Sequence, residues 1–535
     1  NSILVYSSCQ TPQYVHSTVA ACLGISEKKV SIITRRVGGG FGGKAVKAMP
    51  VATACAVAAN KLQRPVRTYV NRKTDMIMTG GRHPMKITYN VGFRSTRKIT
   101  ALELEILIDA GATLGLSMLM PSNIIGALKK YNWGALSFDF KLCKTNLLSK
   151  AIMRAPGDVQ GTYIAESIIK NVASSLSLEA DTIRKINLHT YESLALFYKD
   201  GADKLGVSLN FEDRISSVRA FNESNIWRKR GISRVPITYE VSMFATPGRV
   251  SVLSDGSIVV EVGGIELGQG LWTKVKQMNG YALGLLQCNG TEELMGKIRV
   301  VQSDTLSMVQ GIFTGGSTTS EGSCAAVRLC CETLVERLKP LKTTLMEKSG
   351  GSISWNELIS QAYAQSVNLS ASDLYTPEET PTKYLNYGVA VSEVEVDLVT
   401  GKTTVLQTDI LYDCGNSLNL AIDLGQIEGA FVQGLGFFML EEQHMDIPTI
   451  DTIPRQFNVE ILNSGCHEKR VLSSKASGEP LLLLAALLRM WKCEVGLDSM
   501  FQLPVPATMS VVKELCGLNI VKSYLEWKLR VTSRS

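Results

Sequence analysis

Glycine-rich segments beside helical stretches are the feature that most constrains this sequence. The first of them, residues 38–44, reads Gly-Gly-Gly-Phe-Gly-Gly-Lys and follows the β-branched run from Val30 to Val37. An alanine-rich stretch from Ala45 to Leu62 comes next and predicts a helix that Pro50 interrupts. Backbone N–H groups free of side chains, at the start of a helix, form a site for anionic oxygens. A tight turn packed against a sheet would explain one such loop equally well.

The same loop matches two nucleotide-binding patterns, each incompletely. As a G-x-G-x-x-G segment it would need an acidic residue about 20 positions further on to bind a ribose. No acidic residue occurs between Lys44 and Thr74. As a G-x-x-x-x-G-K-[ST] segment it would need a hydroxyl for magnesium, and Ala45 has none. Both nucleotide interpretations fail at a functional position, so the loop indicates an anion site without identifying the anion.

Five more glycine-containing segments are predicted to precede or open helices. They are residues 154–161, 263–270, 314–320, 426–433 and 477–480. Six junctions of one kind point to a shared cause rather than to six unrelated turns. One large, oxygen-rich anionic ligand would account for all of them, held by backbone amides and by the side chains of Gln10, Gln269 and Gln433.

Turn signals between alternating segments predict long hairpins. Asp255-Gly256 and Thr400-Gly401 each separate two strand-like runs. A helix from Cys324 to Leu338 is predicted to stop at Pro340. Together these patterns predict an α+β fold of antiparallel hairpins packed against helices.

A polar stretch from about Lys199 to Arg234, helical in character and poor in strand signal, predicts a connection between two lobes. The predicted division is a first lobe at residues 1–205, a connection at 206–236 and a second lobe at 237–535. The chain opens without an initiator Met and directly in a strand-like run, so we expect the first lobe to lack its N-terminal part.

Cysteine spacing and charge narrow the classes of function. None of the twelve cysteines forms a C-x-x-C pair, so the usual ligand patterns of structural zinc and iron–sulphur clusters do not occur. Cys330 and Cys331 are predicted to be buried thiols of a helix. The net charge of +7 is spread along the chain and favours neither nucleic acid nor a membrane surface. The longest wholly apolar run, Leu481 to Leu488, is too short to span a bilayer.

The sequence lacks the common hydrolase motifs but offers one candidate catalytic carboxylate, Glu479. G-x-S-x-G and H-E-x-x-H do not occur, and the five histidines are scattered. Glu479 lies between Gly478 and Pro480, just before an apolar run, where a desolvated general base would fit. A glutamate at the positive end of a helix dipole fits as well, and by itself the position favours this second interpretation.

Taken together, six segments resemble the molybdenum-binding region of the xanthine dehydrogenase and aldehyde oxidase family. These segments are Gly38–Lys44, Leu142–Leu147, Arg154–Gly161, Gly263–Gly270, Gly425–Gly434 and Ser474–Pro480. The resemblance covers nearly the whole chain in order, and it is specific because several independent motifs coincide. Within the family, residues 447–454 and 473–480 look most like those of plant aldehyde oxidases.

The resemblance implies a molybdenum hydroxylase in which two elongated lobes enclose a molybdopterin site. It implies oxidation of an aldehyde to a carboxylic acid with oxygen from water, and Glu479 matches the general base. The residues that match cofactor-binding positions are Gln10, Phe41, Gly42, Arg154, Gln269, Gly316 and Gln433. Those that match positions lining the metal are Gln10, Phe41, Arg154 and Gly316.

The resemblance also implies partners beyond this chain. Electrons are expected to pass through two 2Fe–2S clusters and FAD, held by domains of the full-length enzyme that this chain does not include, and then to oxygen. The expected substrate is a small-molecule aldehyde, and the expected assembly is a cytoplasmic homodimer. Neither nucleic acid nor a membrane is an expected partner.

The substrate pocket departs from the purine-oxidising branch of the family. That branch has a glutamate after the glycine-loop lysine, an arginine near residues 122–126 and an aromatic residue that stacks on the purine. This chain has Ala45 at the first position, no arginine at the second and Pro156 at the third, so an aldehyde pocket is expected. A purine hydroxylase of the xanthine dehydrogenase type is the alternative.

A truncated, non-catalytic remnant is a further alternative. Residues 441–446 look shorter than the connection that the family has there. After Pro480 the family has a second proline and a long helix, whereas this chain has Leu481 and then an altered stretch at residues 487–493.

Overall fold

The computed structural model describes residues 2–189, 211–288, 291–308, 311, 313–377, 383–441, 447–463, 471–489 and 505–516. Strands β1 to β14 are Ile3–Tyr6, Val30–Thr34, Met85–Phe93, Ile99–Gly111, Ala135–Lys144, Arg228–Ser242, Thr246–Val252, Ile258–Val262, Ile298–Val300, Ser303–Asp304, Ser370–Tyr375, Lys383–Asp397, Thr403–Asp413 and Gln456–Leu462. Helices α1 to α13 are Pro12–Leu23, Ala48–Leu62, Arg72–Thr79, Met120–Leu128, Asp158–Ser175, Ala180–Asn187, Phe211–Ser224, Leu271–Gly284, Thr291–Lys297, Thr319–Ser349, Trp355–Ala364, Leu420–Leu435 and Met509–Cys516. Short 3-10 helices are Glu27–Lys29, Gly115–Leu119, Val471–Ser473 and Pro480–Arg489, and Gly436–Leu440 is a π-helical turn.

Among the described residues the strands form four sheets, which confirms the predicted α+β class. Their strand orders are β1-β2-β10, β3-β4-β5, β11-β7-β8-β9 and β14-β13-β12-β6. Antiparallel pairs carry the hairpins, while β1-β2, β4-β5, β8-β9 and β13-β14 run parallel. The sheets are therefore mixed, more so than the hairpin signals alone predict.

One hydrophobic core lies between β6, β12, β13 and α12. Strand β6 pairs with β12 over its whole length, from Arg228 opposite Asp397 to Ser242 opposite Lys383. Its alternate residues Val235, Ile237, Tyr239 and Val241 all join this core, as the two-residue period of a strand requires. The apolar run Leu481–Ala486, fully buried, packs against the same elements. This packing fixes the residues that directly follow Glu479 in the sequence.

A second sheet, β3-β4-β5, packs its inner face against α4 and α5. Buried Ile106 and Ile108 of β4 and Ile164 and Ile168 of α5 share this core. The first sheet is completed from far along the chain, because Ser303 and Asp304 of β10 pair with Thr34 and Ile33 of β2. The two halves of the sequence are thus joined through a shared sheet.

Both predicted hairpins are confirmed: β7 and β8 flank Asp255-Gly256, and β12 and β13 flank Thr400-Gly401. Gly256 and Gly401 adopt φ values of +82° and +77°, which a side chain would disfavour. Cys330 and Cys331 are confirmed as buried free thiols of α10.

Two proline predictions were wrong. Pro50 lies in the first turn of α2, where backbone N–H groups have no acceptor within the helix. Its lack of an N–H therefore costs no hydrogen bond, and the helix is not interrupted. Pro340 lies inside α10, which continues to Ser349, because packing of its buried face outweighs one lost hydrogen bond.

Two boundary expectations also differ from the structure. The segment 426–433 lies within α12 rather than before a helix. The connection predicted at 206–236 was described as poor in strand, yet β6 begins at Arg228. Residues 442–446 and 490–493, where altered connections were expected, lie outside the described residues. Within the described part, no helix combines the length and apolar character needed to cross a membrane.

Candidate active site

The glycine segments come together around one cavity of about 670 Å³. Its walls include residues from each of the six predicted junctions, which lie far apart in the sequence. Of the predicted site residues, those that line it are Gln10, Phe41, Gly42, Arg154, Gln269, Gly316 and Glu479. The structure therefore brings together almost the whole predicted set.

Gln10 joins the first glycine loop to the Thr314 segment. Its Oε1 accepts hydrogen bonds from Gly42 N at 3.0 Å and Lys44 N at 3.2 Å, and its Nε2 donates to Thr314 O at 2.8 Å. The loop approaches so closely that a Cβ on Gly40 would lie 2.6 Å from Gln10 Oε1. Gly42 has φ +92°, and a Cβ there would overlap the carbonyl oxygen of Ile152. The close approach of the Gln10 side chain to Gly40 and of the Ile152 backbone to Gly42 explains these two glycines.

Phe41 and Gly316 both have a left-handed backbone, with φ +49° and +64°. Phe41 is 46% exposed, and the guanidinium of Arg154 lies 5.7 Å from its ring centroid. A Cβ on Gly316 would meet no atom within 4 Å. Gly316 therefore leaves open space at the cavity, unlike Gly42.

Arg154 is a buried cation that ties three segments together. It donates through Nε to Gly478 O at 2.7 Å, through Nη1 to Gln433 Oε1 at 3.0 Å and through Nη2 to Gln426 O at 3.1 Å. Burial lowers its pKa to about 10, against the opposing effect of the negative charge of Glu479, so it stays charged at neutral pH. Gln433 contacts Arg154 and is not among the residues lining the cavity.

Arg82, which the sequence did not single out, holds the same segment from behind. Its Nη1 donates to the carbonyl oxygens of Met153 at 2.9 Å and Arg154 at 3.0 Å. Arg82 thus fixes the backbone of Met153 and Arg154, and the Arg154 side chain in turn fixes the backbone of Gly478.

Glu479 has both carboxylate oxygens at the cavity. Its Oε1 accepts a hydrogen bond from Gly316 N at 3.1 Å, and its Oε2 accepts from Ala155 N at 3.2 Å and from the Tyr239 hydroxyl at 2.7 Å. Burial, followed by the negative charge of Glu479, raises the pKa of Tyr239 well above its ordinary value. Tyr239 therefore acts as a donor. The two-residue pattern of β6 predicts its burial, but no local signal points to Glu479, 240 residues later.

Asp158, at the first turn of α5, is a second buried acid in the cavity wall. Burial raises the pKa of its carboxyl well above the ordinary value, and the charge of Glu479 adds to the shift. Sequence reasoning missed it because it lies inside a glycine segment that drew attention to the backbone.

Gln269 is held by its own loop. Its Oε1 accepts from Leu267 N at 2.5 Å, and its Nε2 donates to Ile265 O at 2.9 Å. Beside it, the buried carboxylate of Glu266 accepts from Gly268 N at 2.8 Å and Trp272 N at 2.9 Å. Glu266 therefore satisfies backbone N–H groups of the loop before α8 and of its first turn, where the sequence predicts an external anion.

The segment before Glu479 is anchored to α12. Asp423 Oδ1 accepts from Lys274 Nζ at 2.7 Å and from Ser477 Oγ at 2.6 Å, and its Oδ2 accepts from Ser417 Oγ at 2.6 Å. Together with Arg154, this buried cluster fixes the residues on which the position of Glu479 depends.

Several features fit a polar, anionic cofactor. The hydroxyl of Ser317 is buried without a hydrogen-bond partner, and Ser317 lines the cavity. Glycine backbone at residues 38–40, 268 and 315–316 forms much of the wall. Among the described residues, no group of three or more His, Cys, Asp or Glu side chains is placed to hold a metal ion. The surface offers backbone and amide groups, which suit the oxygen-rich groups of a cofactor.

Comparisons with known proteins agree with this site. Two family models described as molybdopterin cofactor-binding domain match residues 1–188 and 204–451. An indole-3-acetaldehyde oxidase of Arabidopsis thaliana is 76% identical over 100% of this chain and 43% of its own length. An abscisic-aldehyde oxidase of Arabidopsis thaliana is 62% identical over 99% of this chain and 43% of its own length. The chain thus spans less than half the length of these relatives.

Solved structures share the fold. An aldehyde oxidoreductase from Desulfovibrio gigas is similar with a TM-score of 0.79 and 21% identity, over 96% of this chain and 58% of that one. A quinoline 2-oxidoreductase from Pseudomonas putida 86 has a TM-score of 0.80 and 21% identity, over 96% of this chain and 72% of that one. With both family models and the glycine-walled cavity in agreement, the chain belongs to the xanthine dehydrogenase and aldehyde oxidase family and comprises molybdopterin cofactor-binding domains of it.

Proposed function

We propose that the chain is the molybdenum-binding part of an aldehyde oxidase, with Glu479 as its general base. The observation that carries this proposal is the position of Glu479, whose carboxylate is held at the cavity by Gly316 N, Ala155 N and the Tyr239 hydroxyl. The aldehyde oxidases at 76% and 62% identity support the reaction class.

The residues proposed to hold the cofactor are Gln10, Phe41, Gly42, Arg154, Gln269, Gly316 and Gln433. Gln10, Phe41, Arg154 and Gly316 are proposed to line the metal. When bound, the molybdenum cofactor supplies the two-electron redox chemistry and the Lewis acidity of the reaction. Gln433 would act through Arg154, since its amide oxygen accepts from that guanidinium.

The chain's own contribution is orientation and proton transfer. Aldehyde and water give a carboxylic acid, two protons and two electrons. Glu479 accepts a proton from the water-derived oxygen that attacks the aldehyde carbon, and Arg154 holds the Gly478 carbonyl so that the carboxylate faces the cavity. The electrons are proposed to leave through two 2Fe–2S clusters and FAD in the full-length protein, and then to oxygen.

The cavity wall favours an aldehyde over a purine. Pro156 offers no aromatic face, and the Asn123 amide donates to Pro156 O at 2.7 Å rather than presenting a cation. Ala45 is fully buried and brings no carboxylate to the glycine loop. These positions lack the groups expected to hold a purine.

The finer expectations are part of the same proposal. We propose a cytoplasmic homodimer whose substrate is a small-molecule aldehyde, and a division into lobes at residues 1–205 and 237–535. The family models, which end at 188 and begin again at 204, support a boundary close to the start of the proposed connection.

The test is oxidation of aldehydes and of xanthine by the purified holoenzyme, with a dye as electron acceptor. Aromatic and indolic aldehydes should reduce the dye, and xanthine should do so at least roughly tenfold more slowly. Equal oxidation of xanthine would contradict the aldehyde assignment.

The base assignment is tested by Glu479→Gln. Turnover should fall by roughly 10²- to 10⁴-fold while molybdenum content is retained, because a general base contributes about that much. The matched control is Glu428→Gln, an exposed glutamate on α12, which should leave turnover unchanged. Full turnover in Glu479→Gln would show that the base lies elsewhere.

A further inference from the structure

Tyr239 is the one side chain that donates a hydrogen bond to Glu479 among the described residues. It lies on β6, is 4% exposed, and shares its strand face with the core residues Ile237 and Val241. Its hydroxyl emerges from this apolar face at the cavity, where it donates to Glu479 Oε2 at 2.7 Å. Packing in the core therefore holds the Tyr239 ring in place, and the rigid ring in turn sets the position of its hydroxyl.

The two oxygens of Glu479 are not equivalent. Oε2 accepts two hydrogen bonds, from Ala155 N and from Tyr239, whereas Oε1 accepts one in the described structure, from Gly316 N. A carboxylate oxygen has two lone-pair sites in the carboxylate plane. Oε2 is thus fully occupied, and Oε1 keeps one site for a further proton.

We propose that Tyr239 is a positioning residue that directs proton transfer to Oε1 of Glu479. This inference rests on the proposed function of Glu479 as the base. The proton leaves the water-derived oxygen and forms an O–H bond at Oε1, while Tyr239 keeps its own proton throughout. Without the hydroxyl, Oε2 has an open site, and the carboxylate can rotate or take the proton in an unproductive orientation.

The raised pKa of Tyr239 supports this role, because a hydroxyl that stays protonated donates in every step. Arg154, Arg82 and Asp158 interact electrostatically with Glu479. No direct hydrogen bond between Glu479 and any of these three side chains occurs in the described structure, so Tyr239 alone among side chains sets the carboxylate orientation directly.

The first test compares Tyr239→Phe with Tyr131→Phe. Tyr131 is a matched control: it is 2% exposed, and its hydroxyl donates to the buried carboxylate of Glu166 at 2.8 Å, away from the cavity. In the holoenzyme we expect Tyr239→Phe to lower kcat roughly tenfold or more, with KM for the aldehyde and molybdenum content unchanged, because a hydrogen bond to a charged group is lost. Tyr131→Phe should have the kcat of the parent protein.

Two results would overturn the proposal. One is a kcat for Tyr239→Phe equal to that of Tyr131→Phe. The other is loss of molybdenum in Tyr239→Phe, which would make the residue structural.

A double variant separates this inference from the proposed function. If Tyr239 acts through Glu479, adding Tyr239→Phe to Glu479→Gln should cause no further loss of kcat. An equal fold-loss in both backgrounds would show that Tyr239 acts independently and would refute the inference, with Glu479 still the base. Full turnover of Glu479→Gln would instead refute the base assignment, and the inference with it.

Discussion

The guanidinium of Arg154 donates to the carbonyl oxygen of Gly478, the residue directly before Glu479. The same guanidinium also donates to Gln433 and Gln426 of α12. A single buried cation thus sets the distance between the segment 477–480 and α12. The position of Glu479 therefore depends on the hydrogen bond to the Gly478 backbone as well as on the contacts of its own carboxylate.

Replacement of Arg154 by Lys should disable the site without removing its charge. The planar guanidinium serves three acceptors in fixed directions, and an ammonium cannot reproduce this geometry. We expect kcat/KM for the aldehyde to fall by roughly 10- to 100-fold, corresponding to one or two charge-assisted hydrogen bonds. Arg219→Lys, at an exposed ion pair with Glu179, is the control and should behave as the parent. Equal kinetics in the two variants would show that only the charge of Arg154 matters.

Replacement of Gly42 by Ala should break the glycine loop by steric overlap. Gly42 combines φ +92° with a Cβ position that collides with the Ile152 carbonyl oxygen. Gly24→Ala provides the comparison, because Gly24 has φ +62° but open space around its Cβ position. We expect Gly24→Ala to cost about 1 kcal/mol and to keep the cofactor, whereas Gly42→Ala should lose molybdenum and lower Tm further. The measurements are thermal unfolding and metal analysis, and equal effects of the two substitutions would exclude the overlap as the cause.

The buried carboxyl of Asp158 should make the free energy of unfolding decrease as pH rises. Its carboxyl has a raised pKa in the folded protein, through burial first and the charge of Glu479 second. Between the ordinary pKa of about 3.9 and the raised value, the folded state holds a proton that the unfolded chain has lost, so stability falls with increasing pH in that window. Asp158→Asn removes this dependence. Relative to the parent, the free energy of unfolding of the variant should increase as pH rises above the ordinary carboxyl pKa of about 3.9, measured by chemical denaturation at a series of pH values.

The exposed Asp255 supplies a control of opposite sign. Hydrogen bonds from the Ser257 hydroxyl and backbone N–H lower the pKa of its carboxyl. Its contribution is present above the ordinary pKa and is lost as pH falls through the lowered one. Asp255→Asn should therefore show no gain at high pH. A gain equal to that of Asp158→Asn would mean that net charge, and not burial, is responsible.

Local signals explain what could be predicted from the sequence. The hairpins at Gly256 and Gly401 follow from turn chemistry that involves neighbouring residues only. The glycine segments could be located because close backbone approach demands glycine whatever surrounds it, as at Gly42. Glu479 was identified by resemblance, since its own neighbours favoured a plain helix start.

Contacts between distant segments explain what could not be predicted. The bond from Tyr239 to Glu479 joins residues 240 positions apart, and that from Lys274 to Asp423 joins residues 149 apart. Glu266 accepts from Gly268 N and Trp272 N at the start of α8, where the sequence predicts an external anion. The prediction that α10 ends at Pro340 was wrong for a similar reason. Burial of α10 against the sheet that contains β7 and β8 outweighs the low helix propensity of proline.

The pairing of β2 with β10 has a consequence for biosynthesis. The N-terminal sheet gains its third strand only when Ser303 and Asp304 have left the ribosome, and Gln10 then finds its acceptor at Thr314. The ribosome synthesises the glycine loop well over 400 residues before Glu479. The nascent chain therefore carries an incomplete cavity until the segment with Glu479 has been synthesised, and only then can the cavity close.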